Sequence, residues 1–183
     1  MKVGSVATET NKRKILDAFW ILFRQQSIEK ITIDALSKQA GIHRSSFYRY
    51  FLDIYQVLEV FQEELLTHIK TEVESIQATT DITLPAYTEK ISVLMVSSAD
   101  KIYRLLNCRH SDFEQSFVNV LRPNVEKYFP QNEHLEYISS FIISSMLFNF
   151  NFWYEHREQY EFREVTELGK NIVLHGIFRA IKI

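Results

Sequence analysis

Glycine, proline and cysteine are all scarce in this chain of 183 residues, which has four, three and one of them. So little turn material gives no basis for a run of tight hairpins, and the expected fold is all-α. The lone Cys108 has no partner for an internal disulfide, which points to a reducing compartment. A long apolar run is missing as well. The uncharged stretch Ile138 to Tyr154 has 17 residues, including four Ser and two Asn that lipid would leave unsatisfied. It falls short of the roughly 20 apolar residues that span a bilayer. The opening residues, MKVGSVATETNKRK, hold no apolar core of an export signal. No membrane is expected as a partner, and the cytoplasm is the expected location.

The patterns of catalysis are absent too. The sequence has no His-x3-His, no Glu-x2-His, no Gly-rich phosphate loop and no G-x-S-x-G. Cys108, Arg109 and His110 are the only thiol–imidazole neighbourhood, and adjacent residues on a helix point different ways. Glu64 and His68, four apart, read as a solvated helix pair. Neither an enzyme nor a resident cofactor or metal is expected.

A strong charge of one sign is the last absence, since the formal net charge is only −2. Its distribution is more telling. Through position 60 there are nine basic and six acidic residues, so the head carries +3 and the remainder −5. A basic head on an acidic body suits a protein that presents one end to a polyanion.

That head contains the most informative run of the chain, ITIDALSKQAGIHRSSFYRYF from Ile31 to Phe51. Thr32 is the expected N-cap of a helix with Ile33, Leu36 and Ala40 at helical spacing. Gly41 supplies a turn that calls for positive φ, and Ile42 plugs the corner. A second short helix is expected over Arg44 to Phe51. On it Phe47 and Phe51 share one face, which must be buried. The opposite face carries Ser45, Ser46 and Arg49, flanked by Arg44, Tyr48 and Tyr50. Hydroxyls, guanidiniums and phenols are groups that bond phosphate oxygens and base edges.

Residues from about Asn11 to Leu58 resemble the DNA-binding lobe of the TetR/AcrR family of one-component regulators. The resemblance rests on the amphipathic RKILDAFWILF and on Ala40, Gly41, Ile42, Ser46, Phe47, Tyr48 and Phe51, which fit A-G-[IV]-x3-[ST]-[LF]-Y-x2-F. Three positions depart from the family pattern. His43 stands for the usual Ser or Thr, Ser27 for a Gly, and Ile54 for a phosphate-clamping Lys. The expected DNA-contacting set is Thr32, His43, Arg44, Ser45, Ser46, Tyr48, Arg49 and Tyr50.

The rest reads as a larger helical bundle. A polar, flexible tail is expected to about position 10, then a first helix over 11–26. A long fourth helix should start near Asp53 and reach Gln77, about 35 Å at ~1.5 Å per residue. Further helices are expected from Pro85 to Asn107 with a break near Ser97 and Ser98, from Ser111 to Tyr128 with a kink or restart at Pro123, and over 133–156 and 161–180. The last two are too apolar for one chain to cover. Leu135, Ile138, Phe141, Ile142, Met146, Leu147, Phe150 and Trp153 leave the first of them no polar face.

The expected architecture is therefore an N-terminal three-helix helix-turn-helix lobe over 1–58 and a helical bundle for ligand binding and dimerisation over 59–183. The family resemblance implies a homodimer packed through 133–156 and 161–180. It also implies a ligand-responsive regulator, a repressor by family habit, that binds a double-stranded DNA operator. Its ligand would be a small apolar or aromatic molecule, for which Tyr103, Phe113, Phe117 and Phe148 are the candidate walls. The alternative reading is a regulatory protein-interaction module whose helix-turn-helix head binds a protein partner rather than DNA.

Overall fold

The computed structural model describes residues 3–78, 82–131 and 133–180. Among them are nine α-helices, one short 3-10 helix and no strand. The helices are α1 (Val3–Phe23), α2 (Ile33–Ala40), α3 (Arg44–Phe47), α4 (Ile54–Gln77), α5 (Leu84–Ser97), α6 (Ala99–Leu106), α7 (Phe113–Glu126), α8 (Leu135–Glu155) and α9 (Phe162–Ala180), and the 3-10 turn is Ile28–Lys30. No helix of the described residues is long and apolar enough to cross a membrane.

Gly41 and Pro85 fall at helix ends. The break expected in the fifth segment falls at Ser98, between α5 and α6. Pro85 lies in the first turn of α5, where its missing N–H costs nothing. Pro123 does not end α7, which runs on to Glu126. Two expectations need correction. α1 already begins at Val3, so residues 3–10, expected as a flexible tail, are helical, while 1–2 lie outside the described residues. The second helix of the motif is α-helical only over Arg44–Phe47 and finishes as a tighter turn through Tyr50. Residues 79–81, between α4 and α5, lie outside the described residues.

Two compact units make up the chain. The first runs through Leu65 and includes Arg104–Asp112. The second takes Leu66–Tyr103 and the chain from Phe113 onward. α4 and α6 therefore each contribute to both.

In the first unit α1, α2, α3 and the start of α4 enclose an apolar core. Ile15, Phe19, Phe23, Leu36, Phe47 and Val57 are all but inaccessible to solvent. Phe19 stacks on Phe23 with ring centres 5.2 Å apart, and Phe61 meets Phe19 edge-on at 5.5 Å. Aromatic contacts of this kind add about 0.5–1.5 kcal/mol beyond the area they bury. They fix α4 across α1 and give the motif a rigid base.

In the second unit Tyr87, Ile91, Phe117, Leu121, Ile143 and Phe150 form the core. α8 packs against both α7 and α9. Its remaining side is apolar and uncovered: Tyr137 is 72% exposed, Phe141 47% and Phe148 69%. These three lie four and seven residues apart, on one helical face. On α9, Leu168 and Ile172 are likewise exposed, at 63% and 66%. Residues 181–183, after the expected dimer helix, lie outside the described residues.

Candidate nucleic-acid interface

Thr32 has an extended backbone, φ −102° and ψ 153°, and its Oγ1 accepts the Ala35 N–H at 3.1 Å. It satisfies one of the orphan donors at the start of α2. At the other end Gly41 adopts φ 66° and ψ 36°. The Ile42 N–H then reaches the Ser37 carbonyl at 3.0 Å and the Gly41 N–H the Lys38 carbonyl at 3.2 Å. This paired closure is a Schellman stop, and it requires a left-handed residue. Any residue with a Cβ is strained there.

His43 is extended, and its side chain makes no cap bond, as the poor capping residue implies. The Ser46 N–H bonds its carbonyl at 2.8 Å. Phe47 and Phe51 turn inward, with ring centres 5.9 Å apart. Their burial fixes the rotation of α3 and pushes Arg44, Ser45, Tyr48 and Arg49 outward. His43 is exposed as well, while Ser46 and Tyr50 are half-buried. Thr32 is exposed at the head of α2. The polar residues expected to contact DNA thus sit together on and beside one short helical surface.

The guanidinium of Arg44 is held from two sides. Nη1 donates to Asp34 Oδ1 at 3.1 Å and Nη2 to Tyr48 Oη at 3.2 Å. The Tyr48 hydrogen bond first, and then the Asp34 charge, raise the Arg44 pKa above its ordinary value. Sequence reading missed Asp34. Its only signal is an acid at the start of a helix, which the helix dipole explains without any reference to Arg44.

α4 follows with a reciprocal cap. The Gln56 N–H donates to Asp53 Oδ1 at 2.9 Å, and Gln56 Oε1 accepts the Leu52 N–H at 2.6 Å. Ile54, where the family pattern has a basic residue, is buried in the core of the head. No phosphate clamp can be built from it.

The second unit treats the four aromatic ligand candidates differently. Phe113 and Phe117 are fully buried against each other at 5.8 Å. Tyr103 stacks on Tyr154 at 4.0 Å and donates to Glu155 Oε1 at 3.1 Å. Phe148 points into solvent. A cavity of about 50 Å³ lies between α5, α8 and α9, lined by Ser92, Ile142, Met146, Asn149 and Lys170 among others. None of the four aromatics lines it. Sequence offers no signal for that wall, because its residues come from three helices with unremarkable spacing. Among the described residues no group of His, Cys, Asp and Glu could hold a metal ion.

Residues 15–60 match the family described as bacterial regulatory proteins, tetR family. No curated protein matches the chain. Solved structures do. A TetR transcriptional regulator from Streptococcus agalactiae 2603V has a TM-score of 0.72 at 20% identity, over 93% of this chain and 97% of its own. The fatty acid degradation regulator FadR from Bacillus halodurans also has a TM-score of 0.72, at 15% identity over 91% and 95%. FadR of Thermus thermophilus, a TetR family transcriptional repressor solved with lauroyl-CoA, has 0.59 at 20% identity over 90% and 94%. At these identities the likeness is one of fold. Residues 15–60 thus match the tetR family of bacterial regulatory proteins in sequence, and nearly the whole chain shares the fold of solved TetR-family regulators.

Proposed function

We propose that the chain is a ligand-responsive repressor that binds operator DNA as a homodimer, with 1–58 as the DNA-binding lobe and 59–183 as the ligand and dimer lobe. The observation that carries this reading is the surface of α3. Phe47 and Phe51 anchor it, so Arg44, Ser45, Tyr48 and Arg49 all face outward from one rigid turn. A surface kept only for solubility has no need of two guanidiniums and a phenol side by side. Two such heads in a dimer would enter successive major grooves, about 34 Å apart. Support for the dimer comes from the uncovered apolar residues of α8 and α9, which exceed the scattered exposure ordinary for a monomer.

The ligand side rests on the unfilled space beside Ile142 and Met146 and on the aromatic core around Phe113 and Phe117. A small apolar or aromatic molecule suits such surroundings. Lauroyl-CoA is a reasonable first probe, since the Thermus repressor of similar fold was solved with it. A bound ligand would favour a conformer in which the heads no longer match the groove spacing, and operator and ligand would then oppose each other.

Selection of duplexes from a random pool, followed by mobility shift, tests the reading. Enrichment of a two-fold symmetric sequence supports it. An unenriched pool, with the chain instead capturing a protein partner, supports the interaction module.

A further inference from the structure

We propose that Arg44 reads a base edge and not a phosphate, and that Asp34 is the positioning residue that restricts it to that task. This inference rests on the DNA-binding reading above. Arg44 has five N–H donors in a planar fork. One on Nη1 is taken by Asp34 Oδ1 and one on Nη2 by Tyr48 Oη, yet the side chain remains 58% exposed. The fork is oriented by the protein, and its remaining donors are open to an incoming acceptor.

What Asp34 adds is a choice between acceptors. A phosphate oxygen drawn to this guanidinium must come within a few ångströms of the Asp34 carboxylate. Salt does little to soften that repulsion, because the separation is well inside the ~8 Å Debye length at physiological ionic strength. The O6 and N7 atoms of guanine are neutral acceptors and meet no such penalty. An exposed ion pair of this type adds little to stability. Its effect lies in what it repels.

The neighbours divide the remaining work. Tyr48 Oη accepts from Arg44, so its own O–H is left to donate, and a phosphate oxygen is the acceptor it fits. Arg49 is exposed and takes part in no ion pair among the described residues, which leaves it suited to the backbone.

The test measures binding of the full chain to its selected duplex and to a scrambled one between 50 and 200 mM salt. Arg44→Ala should lower discrimination between the two by about 5- to 150-fold. It should leave the slope of log K against log salt unchanged. Arg49→Ala supplies the contrasting case, a slope shallower by about one with equal weakening on both duplexes. Asp34→Asn should tighten binding to the scrambled duplex, reduce discrimination and steepen the slope as Arg44 turns to a phosphate. Added to Arg44→Ala, it should cost no further discrimination. A role for Asp34 confined to the start of α2 would change the stability of the head and leave the salt slope alone. The proposal is overturned if Arg44→Ala flattens the slope and weakens both duplexes alike, or if Asp34→Asn leaves discrimination intact. Wild-type protein that binds neither duplex removes the DNA-binding reading itself, and this inference with it.

Discussion

Arg104 donates from Nη2 to the backbone carbonyl of Gln26 at 2.6 Å, with its Cζ 4.9 Å from the centre of the Phe23 ring. Gln26 lies just past the end of α1, where carbonyls lack helical partners and the dipole is negative. A residue from the end of α6 therefore finishes the first helix of the reading head. The rest of its segment is fastened nearby. His110 lies 3.1 Å from Glu29, with its ring tilted against that of Tyr55 at 5.0 Å, and Ser111 donates to Gln62 Oε1 at 2.6 Å. Gln62 in turn donates to Asp112.

Arg104→Ala should destabilise the head by about 1–3 kcal/mol, the cost of leaving a partly buried carbonyl without its charged donor. Chemical denaturation followed through Trp20 fluorescence in a Trp153→Phe background checks it. An unchanged midpoint would mean that the contact is incidental.

Gly41→Ala should cost about 1–2 kcal/mol, because an L side chain is disfavoured at positive φ. Nothing lies within 4 Å of a Cβ placed there, so the whole effect is backbone strain. Gly41→Asn should cost less. Equal stability of the Ala variant and wild type in a thermal melt would contradict the assigned turn.

Acid should loosen the same head. Its own backbone N–H first, then the Ser27 hydroxyl and, less strongly, His110 hold the Glu29 carboxyl below its ordinary value of 4.5. A carboxyl depressed by folding contributes stability above its unfolded pKa and loses it as pH falls through the folded one. Stability should therefore decline below about pH 4.5, and Glu29→Gln should flatten that decline. Melts from pH 3 to 6 give the comparison, and parallel curves for the two proteins would refute it.

Much of this was legible in the sequence. Thr32, Gly41, Phe47 and Phe51 announce the motif because caps, positive-φ turns and buried faces each demand a particular residue type. The helices also follow from apolar spacing, down to the break at Ser98. The hold of Asp34 on Arg44 and of Arg104 on Gln26 was not legible. Each joins residues on different elements through long polar side chains, and spacing along one helix is blind to that. Spacing is equally blind to which way an aromatic side chain faces. Phe148 and Phe117 are both aromatics in apolar helices, yet one faces solvent and the other the core.

Ile172→Glu and Gly176→Arg should both dissociate the proposed dimer. A Cβ at Gly176 meets nothing within 4 Å, and Ile172 is exposed, so neither change disturbs the folding of a single chain. Any loss of association then reports on the partner, where burying an unpaired charge is expensive. Sedimentation at micromolar concentration should show a dimer for wild type and smaller species for both variants. A monomeric wild type would end the dimer proposal.

The most direct measurement is a mobility-shift titration of the wild-type chain against the best duplex from the random-pool selection and a scrambled control, repeated across salt. The account predicts a symmetric site with half-sites about one helical turn apart and a preference over the control of at least ~10³-fold. It also predicts a log K that falls linearly with log salt. Equal binding to both duplexes, or none at all, would contradict it.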